Sequence, residues 1–327
     1  MKVAVPIIST DEGELLRHAL PTVLMQENVD VLVIDNASQD RTSQVAAEFG
    51  VRCLRLDERR SYGQAMNAAL AHTDGDAVLM MQPDCYLTEG FLDAALAPLD
   101  DQSVGSVAPK LVRTEGAEQS QRLDLIDTAG MVVDRRRKNG LVGHGEPAGA
   151  FTKRSEAFGA DGASALYRRS ALEDAALEGE IFDESLVSER GGAFADWGCD
   201  ADLAWRLRLL GWRCVYEPGA LAYHVRRYSP TTRSRIAEWQ RQVQFRNRYL
   251  MIVKNDPLRL LLRDLPIVLG YELVAFGYVL LRERFLLAGY AQAASLLPVM
   301  RRKRRVLQRV SRLRRSSSAP YGLLPPA

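Results

Sequence analysis

Two carboxylates, Asp200 and Asp202, stand at the head of a segment with helical periodicity, and an imidazole, His224, closes the strand-like stretch that follows it. Carboxylates and imidazoles are the side chains that proton transfer in catalysis uses most often. Leu203, Leu207 and Leu210 recur at helical spacing while Arg206 and Arg208 fall off that stripe, which predicts an amphipathic helix. Gly211 is placed to end it in a left-handed cap. Trp212–Tyr216 then reads as a short buried strand, Pro218 and Gly219 as a turn, and a second strand ends on Tyr223 and His224. The helix, strand, turn and strand together return the imidazole towards the acids. Taken alone, Asp200 reads equally as an N-cap satisfying free backbone N–H groups.

The elements that position these residues begin at the N-terminus. Val3–Ile8, Val29–Ile34, Val51–Leu56 and Ala77–Met81 are apolar, β-branched strand signals, and Glu14–Leu24, Thr42–Phe49 and Tyr62–His72 are helical in period. This alternation predicts an α/β fold with a mostly parallel, doubly wound sheet flanked by helices. Ligands of such sheets bind beyond the carboxyl ends of the strands. The polar residues fall there: Ser9-Thr10-Asp11-Glu12, Asp35 to Asp40, Arg59 to Gly63 leading into a helix that carries Asn67, and Gln82-Pro83-Asp84-Cys85. Each could be turn or cap chemistry by itself; four in register at one end of a sheet point to a ligand.

The motifs at these positions resemble those of family-2 glycosyltransferases of the GT-A fold, with a bacterial rhamnosyltransferase-like subgroup as the best match. Cys199 to His224 (CDADLAWRLRLLGWRCVYEPGALAYH) resembles the family's acidic pair, D-L-x-W-R-x-R-x-x-G-W and later Y-H. Asp35 to Thr42 looks like D-N-x-S-x-D, Ser61 to Leu70 like N-x-G-x-x-x-A-x-N-x-G, and Gln82 to Cys85 like N-P-D-V, that subgroup's version of D-x-D. Phe158 to Arg169 looks like F-G-x-x-G-A-A-x-L-Y-R-R. The resemblance implies an inverting transfer from a nucleotide sugar. Thr10, Asp11, Asp35, Ser61, Gly63, Asn67 and Asp84 would hold the donor, with Asp35 accepting from N3–H of uracil or thymine. Asp84 and His224 would hold a divalent metal, Mg²⁺ or Mn²⁺. Asp200 would be the catalytic base, and Asp161, Gly162, Trp197 and Asp202 would line the acceptor and sugar side, Asp202 orienting nearby groups or capping the helix. The donor expectation is a dTDP- or UDP-sugar, rhamnose foremost, and the acceptor a lipid-linked or polysaccharide glycan.

The sequence departs from that pattern in places. Ser61 and Ala69 replace an Asn and a Gly, Gln82 replaces the first acid of D-x-D, and Cys199 stands where Glu is usual. The spacer Ser185–Trp197 is longer than in close relatives and leaves Asp196 as a rival base. A sugar nucleotidyltransferase lacks support because STDEGELL replaces the glycine- and lysine-rich loop after the first strand. A catalytically degenerate, membrane-bound partner of another transferase remains the alternative.

The 327 residues, 47% hydrophobic, suffice for one large domain with an appendage. Cys53, Cys85, Cys199 and Cys214 have no C-x-x-C spacing and read as buried, reduced thiols, and with four His there is no zinc pattern. The first apolar run is a strand and too short for a signal peptide. The net charge of +2 is uneven: Arg301–Arg315 holds nine Lys/Arg and no acid. Arg135–Lys138, within a glycine-rich stretch from Asp134 to Gly149, reads as a solvated charge run on a mobile loop. Leu265 to Leu281 is apolar with Glu272 its one charge, and Phe285–Met300 is a second apolar stretch. Two short apolar helices followed by a polybasic run predict a monotopic contact with the cytoplasmic face of a membrane. No aromatic interleaving supports nucleic-acid binding. The expected organisation is a donor-binding half (1–101), an acceptor half (102–245), a membrane-associating helical region (246–315) and a disordered tail (316–327).

Overall fold

The computed structural model describes residues 1–192, 195–226, 233 and 235–314, with side chains as far as 310; the tail expected to be disordered lies outside them. The chain opens as β1 (Val3–Ser9), α1 (Gly13–Leu24), β2 (Val29–Asp35), α2 (Thr42–Glu48), β3 (Arg52–Arg55), α3 (Tyr62–Ala71), β4 (Ala77–Met81), β5 (Cys85–Leu87) and α4 (Phe91–Leu96). It continues through β6 (Val104–Thr114), β7 (Arg122–Thr128), β8 (Met131–Val133), β9 (Asn139–Leu141), β10 (Ser155–Ala157), β11 (Ser164–Arg168), α5 (Arg169–Ala175), α6 (Cys199–Leu209) and β12 (Arg213–His224). The C-terminal part is helical: α7 (Glu238–Asn255), α8 (Leu258–Arg263), α9 (Leu265–Leu281) and α10 (Leu287–Arg314).

Among the described residues the main sheet has ten strands. Its order is β10-β12-β6-β11-β4-β1-β2-β3, with β5 on β12 and β7 on β6. The pairs β1–β2, β2–β3, β1–β4 and β6–β12 are parallel, and β11 enters antiparallel between β4 and β6. The central strands are apolar over most of their length because both faces are covered. Val5, Ile7, Val33 and Leu79 pack with Leu16, Leu20, Val45 and Phe91 of α1, α2 and α4. Ile8, Ile34, Val78 and Met80 pack on the other face with Met66, Leu172, Leu203, Leu250 and Leu307. The C-terminal helices α7 and α10 therefore share the core of the sheet domain.

Several local expectations are corrected. Helix α6 is not amphipathic: nine of its residues are buried, Arg206 among them at zero exposure. Arg206 is tolerated there because Asp202 takes its Nε at 2.9 Å and the carbonyls of Ala175 and Ile181 accept from its Nη atoms. Gly211 does end the helix, at φ +93°. No chain reversal occurs at Pro218–Gly219. β12 runs parallel beside β6 on both sides of that dipeptide, with an irregularity between Glu217 and Leu221, where the Gly219 N–H donates to Glu217 at 2.9 Å. The basic stretch after Asp134 is no open charge run. It forms the β8–β9 hairpin, and Arg137 is buried against Asp256 at 2.7 Å and Asp264 at 2.8 Å, while Arg135 also reaches Asp264. The polybasic helix is partly docked as well: Lys303 lies 2.5 Å from buried Asp183, Arg302 pairs with Glu178, and Arg304 donates to the Val253 and Asp256 carbonyls. Cys53 is exposed; the other three thiols are buried and all four are free.

Candidate active site

The register of the parallel strands lines up their carboxyl ends. Ser9 pairs with Asp35, and Ile7 with Met81, so the loops after β1, β2 and β4 open side by side. β11 begins beside Met81, and the Gln82 N–H donates to the Ala163 carbonyl at 2.9 Å, which brings Asp161 and Gly162 to the turn carrying Asp84. His224 pairs with Cys85 across β12 and β5, and the Val225 N–H donates to the Asp84 carbonyl at 3.0 Å. Asp84, Asp161, Gly162 and His224 thus arrive from three segments at one end of the sheet.

Buried charge connects them. His224 Nε2 lies 3.5 Å from Asp84 Oδ1, and its Nδ1 is 2.8 Å from Asp127 Oδ2. Asp127 also accepts from Arg226 Nε at 2.8 Å and Nη2 at 2.7 Å, and Arg226 Nη2 donates onward to Asp161 Oδ2 at 3.2 Å. Asp200, at the first turn of α6, faces Gly162: a Cβ added to that glycine would stand 3.7 Å from Asp200 Oδ2. The Tyr62 hydroxyl donates to the Gly162 carbonyl at 3.2 Å and closes this corner.

The electrostatics follow from burial and neighbours. Desolvation, joined by the Asp161 charge, lifts the Asp200 carboxyl to about 6, against the N–H groups of Ala201 and Gly162. Burial alone would lower His224; the Asp84 charge and the Asp127 bond outweigh it and raise the imidazole to about 9. Burial would raise Asp127, yet the bonds from His224 and Arg226 hold it well below the usual carboxylate range. Asp84 Oδ1 is buried and receives no hydrogen bond.

Other residues expected at the site are engaged within the protein. Asp35 is fully buried; its oxygens accept from the Ser38 N–H at 2.8 Å, the Ser43 hydroxyl and Arg55 at 2.5 Å. Burial would raise its pKa, but those bonds bring it below the ordinary value. Thr10 accepts from Asn36 at 3.0 Å, and Asp11, at φ +54°, ties the Gln39 N–H and Arg59 together. Ser61 is buried and caps α3 in a capping box with Gln64. Gly63 is required by close approach, since a Cβ would stand 2.7 Å from Asp196 Oδ2 and 2.9 Å from Phe182 Cβ. Asn67 clamps the Phe182 backbone with both ends of its amide. Trp197 is half-buried, its carbonyl held by Asn247. Ser61 and Asn67, expected to contact the donor, are thus engaged within the protein, and Asp202, expected on the acceptor side or as an orienting group, is placed to orient its neighbours. Asp202 has no exposed surface and is spent on Arg206, Lys254 at 2.8 Å and Asn255 at 2.7 Å. Asp196, the rival base, is likewise occupied: it accepts the Gly63 N–H at 2.6 Å, and burial raises its carboxyl.

Asp127 and Arg226 were not singled out by sequence reasoning. The available signals were an acid beside Ile126 at the end of a strand-like stretch and a cation two residues beyond His224. No group of three or more His, Cys, Asp or Glu able to hold a metal occurs among the described residues. The pair Asp84–His224 is what the site offers.

A profile described as "Glycosyl transferase family 2" matches residues 4–175, more than half of the chain. The pre-mycofactocin glycosyltransferase of Mycobacterium tuberculosis is 25% identical over 226 residues, 68% of this chain and 42% of that protein. Staphylococcus aureus TarS, solved with UDP-GlcNAc, superposes with a TM-score of 0.57 at 16% identity, covering 97% of this chain and 91% of that one. The mannosyltransferase PcManGT of Pyrobaculum calidifontis, solved with GDP-Man and Mn²⁺, gives 0.51 at 17% identity, covering 97% and 88%. These likenesses are of the GT-A fold. The chain spans 20%, 27% and 42% of the length of the first curated relatives it matches.

Proposed function

The chain belongs to glycosyltransferase family 2, and we propose that it is an inverting, metal-dependent member acting in cell-envelope or surface-polysaccharide synthesis. The donor is a dTDP- or UDP-sugar, with rhamnose the leading candidate sugar, and the acceptor a lipid-linked or polysaccharide glycan. The observation that carries this reading is the continuous run of buried charge from Asp84 and His224, through Asp127 and Arg226, to Asp161 and Asp200. It gives the site two chemically distinct ends.

At one end Asp200 takes the proton of the attacking acceptor hydroxyl. A carboxyl near 6 is still ionised at neutral pH and is a better proton acceptor than an ordinary aspartate. Attack opposite the departing nucleoside diphosphate inverts the anomeric centre. At the other end, Asp84 and His224 are the residues that would hold Mg²⁺ or Mn²⁺. The cation supplies positive charge for the leaving diphosphate. The donor set fits such an ion. Asp84 Oδ1 lacks a hydrogen bond, and its 3.5 Å separation from His224 Nε2 is close to the ~3 Å between adjacent ligands of an octahedral ion with ~2.1 Å bonds. Two side chains suffice where phosphate oxygens and water complete the shell, and imidazole favours Mn²⁺ over Mg²⁺.

The C-terminal helices support a place at the cytoplasmic face of a membrane. α9 leaves Leu273, Val274 and Leu281 at 75%, 72% and 79% exposure, a surface that a soluble face avoids. No single helix among the described residues is long and apolar enough to cross a bilayer; α9 and α10 meet at a bend of 119°. Glu283, at that bend, is held by Arg233 and Arg241. A surface-lying hairpin with basic residues beyond it fits anionic headgroups.

The reading is tested by nucleoside-diphosphate release from a panel of dTDP- and UDP-sugars with Mg²⁺ or Mn²⁺. An active transferase hydrolyses its donor slowly without acceptor; release from no donor under either metal contradicts the proposal.

A further inference from the structure

Asp127 lies outside every motif that pointed to the site, yet it is fully buried at the centre of the cleft's charge network. One oxygen accepts from Arg226 Nε, and the other faces both Arg226 Nη2 and His224 Nδ1. Its main-chain carbonyl in turn accepts from His144 Nδ1 at 2.8 Å, so the backbone is tied as well as the side chain. An ionised carboxylate is an acceptor only. Facing it, His224 must carry a proton on Nδ1, which leaves Nε2 directed at Asp84.

We infer that Asp127 is a positioning residue for the proposed transfer: by accepting from Nδ1–H it fixes the His224 ring with Nε2 turned to Asp84, so that a cation displacing the Nε2 proton would find both donors in place, and it anchors Arg226 against Asp161. The inference rests on the reading of Asp84 and His224 as the cation pair. A ligating histidine is oriented by the partner of its other ring nitrogen, and Asp127 is the group in that place. The same carboxylate holds Arg226 with two parallel hydrogen bonds, a geometry that fixes orientation as well as charge. Arg226 then reaches the Asp161 side chain, which also accepts the Ala163 N–H at 3.0 Å. Asp127 thereby sets the leaving-group end and the loop beside Asp200 from one point.

An isosteric amide separates this role from bulk. In Asp127→Asn the side chain keeps its volume, but its NH₂ can donate to Nδ1, favouring the tautomer with the proton on Nε2, where it meets Asp84 and not a cation. The experiment is Mn²⁺ binding to the full chain with UDP or dTDP present, followed by electron paramagnetic resonance, alongside nucleotide binding in chelator. Expected is a loss of Mn²⁺ affinity of roughly 10- to 100-fold with metal-free nucleotide binding unchanged. Equal Mn²⁺ affinity in variant and wild type overturns the role of Asp127 while leaving the metal reading intact. Absence of Mn²⁺ binding in the wild type overturns both. Should the variant fail to fold, ¹⁵N imidazole shifts of His224 in the wild type with Mg²⁺ and UDP decide. A proton on Nδ1 and none on Nε2 supports the inference, and a proton on Nε2 overturns it.

Discussion

Asp200 and Asp202 stand two residues apart on α6 and face different surroundings. Two helical steps rotate a side chain by about 200°, so Asp200 looks towards Gly162 while Asp202 is sealed against Arg206, Lys254 and Asn255. One carboxylate is available for chemistry, and its neighbour holds the helix that presents it.

The two therefore separate function from stability. Asp200→Asn should reduce transfer by several orders of magnitude with nucleotide-sugar binding nearly intact. Asp202→Asn should instead destabilise the fold by about 3–5 kcal/mol, because Arg206 loses its buried counter-charge and Lys254 keeps only Asp183. Denaturant unfolding of both variants checks this. A stable Asp202→Asn, or near-normal turnover in Asp200→Asn, contradicts the assignment.

The carboxyl of Asp200, near 6, gives two pH signatures. As a base it must be ionised, so kcat/KM should fall with an acid limb centred near 6. For stability the sign is opposite to that of an ordinary paired aspartate. The folded value lies above the ordinary aspartate value of 3.8, so ionisation weakens the fold, and the loss develops as pH rises through that interval. Thermal unfolding should show Asp200→Asn gaining over wild type between about pH 4 and pH 7, with little difference below. A gain that is independent of pH would sink this account of the site's electrostatics.

Asp183 supplies the contrasting case. Burial would raise it, but Lys254 and Lys303 bring it well below the usual carboxylate range. Its contribution to stability is present above the ordinary aspartate value and is lost as pH falls towards the folded one. Lys303→Met removes one of its two cations and loosens α10 from the sheet domain, with a cost of about 2 kcal/mol or more at neutral pH that shrinks in acid. Urea unfolding at two pH values measures it; an equal cost at both would argue against the pairing.

Membrane contact is tested without truncation. Removing Leu265 onwards would also remove Met300 and Leu307 from the core and Lys303 from Asp183, so loss of binding would be confounded with unfolding. Leu273→Gln with Val274→Gln alters exposed side chains only. Co-sedimentation with vesicles containing anionic lipid should drop, with thermal stability unchanged. Undiminished sedimentation would remove α9 from the proposed contact.

The sheet was legible because its strands are continuous apolar runs, and β1, β2 and β4 were bounded correctly to within a residue or so. The positions of Asp84, Asp161, Asp200 and His224 were legible from motif resemblance. What escaped was whatever depends on distant partners. Asp202 looks like a helix-start acid until Lys254 and Asn255, on α7, are brought against it. Asp127 is one acid in a strand until β12 carries His224 and Arg226 alongside it. Arg137 belongs to a basic cluster by sequence and to Asp256 and Asp264 by structure. Pro218 and Gly219 carry turn chemistry, yet pairing with β6 on both sides keeps β12 a single strand. Local pattern reports propensity and burial; ion pairing across the fold has no local signature.

The central claim is that Asp84 and His224 together would hold the cation that meets the donor diphosphate, while Asp200 waits across from it. The most direct measurement is anomalous scattering from crystals grown with Mn²⁺ and UDP or dTDP. The account expects a single manganese peak within bonding distance, about 2.1–2.3 Å, of both Asp84 Oδ1 and His224 Nε2, with phosphate oxygens completing the shell. A nucleotide bound at the strand ends with manganese elsewhere, or a peak that touches neither residue, would contradict it.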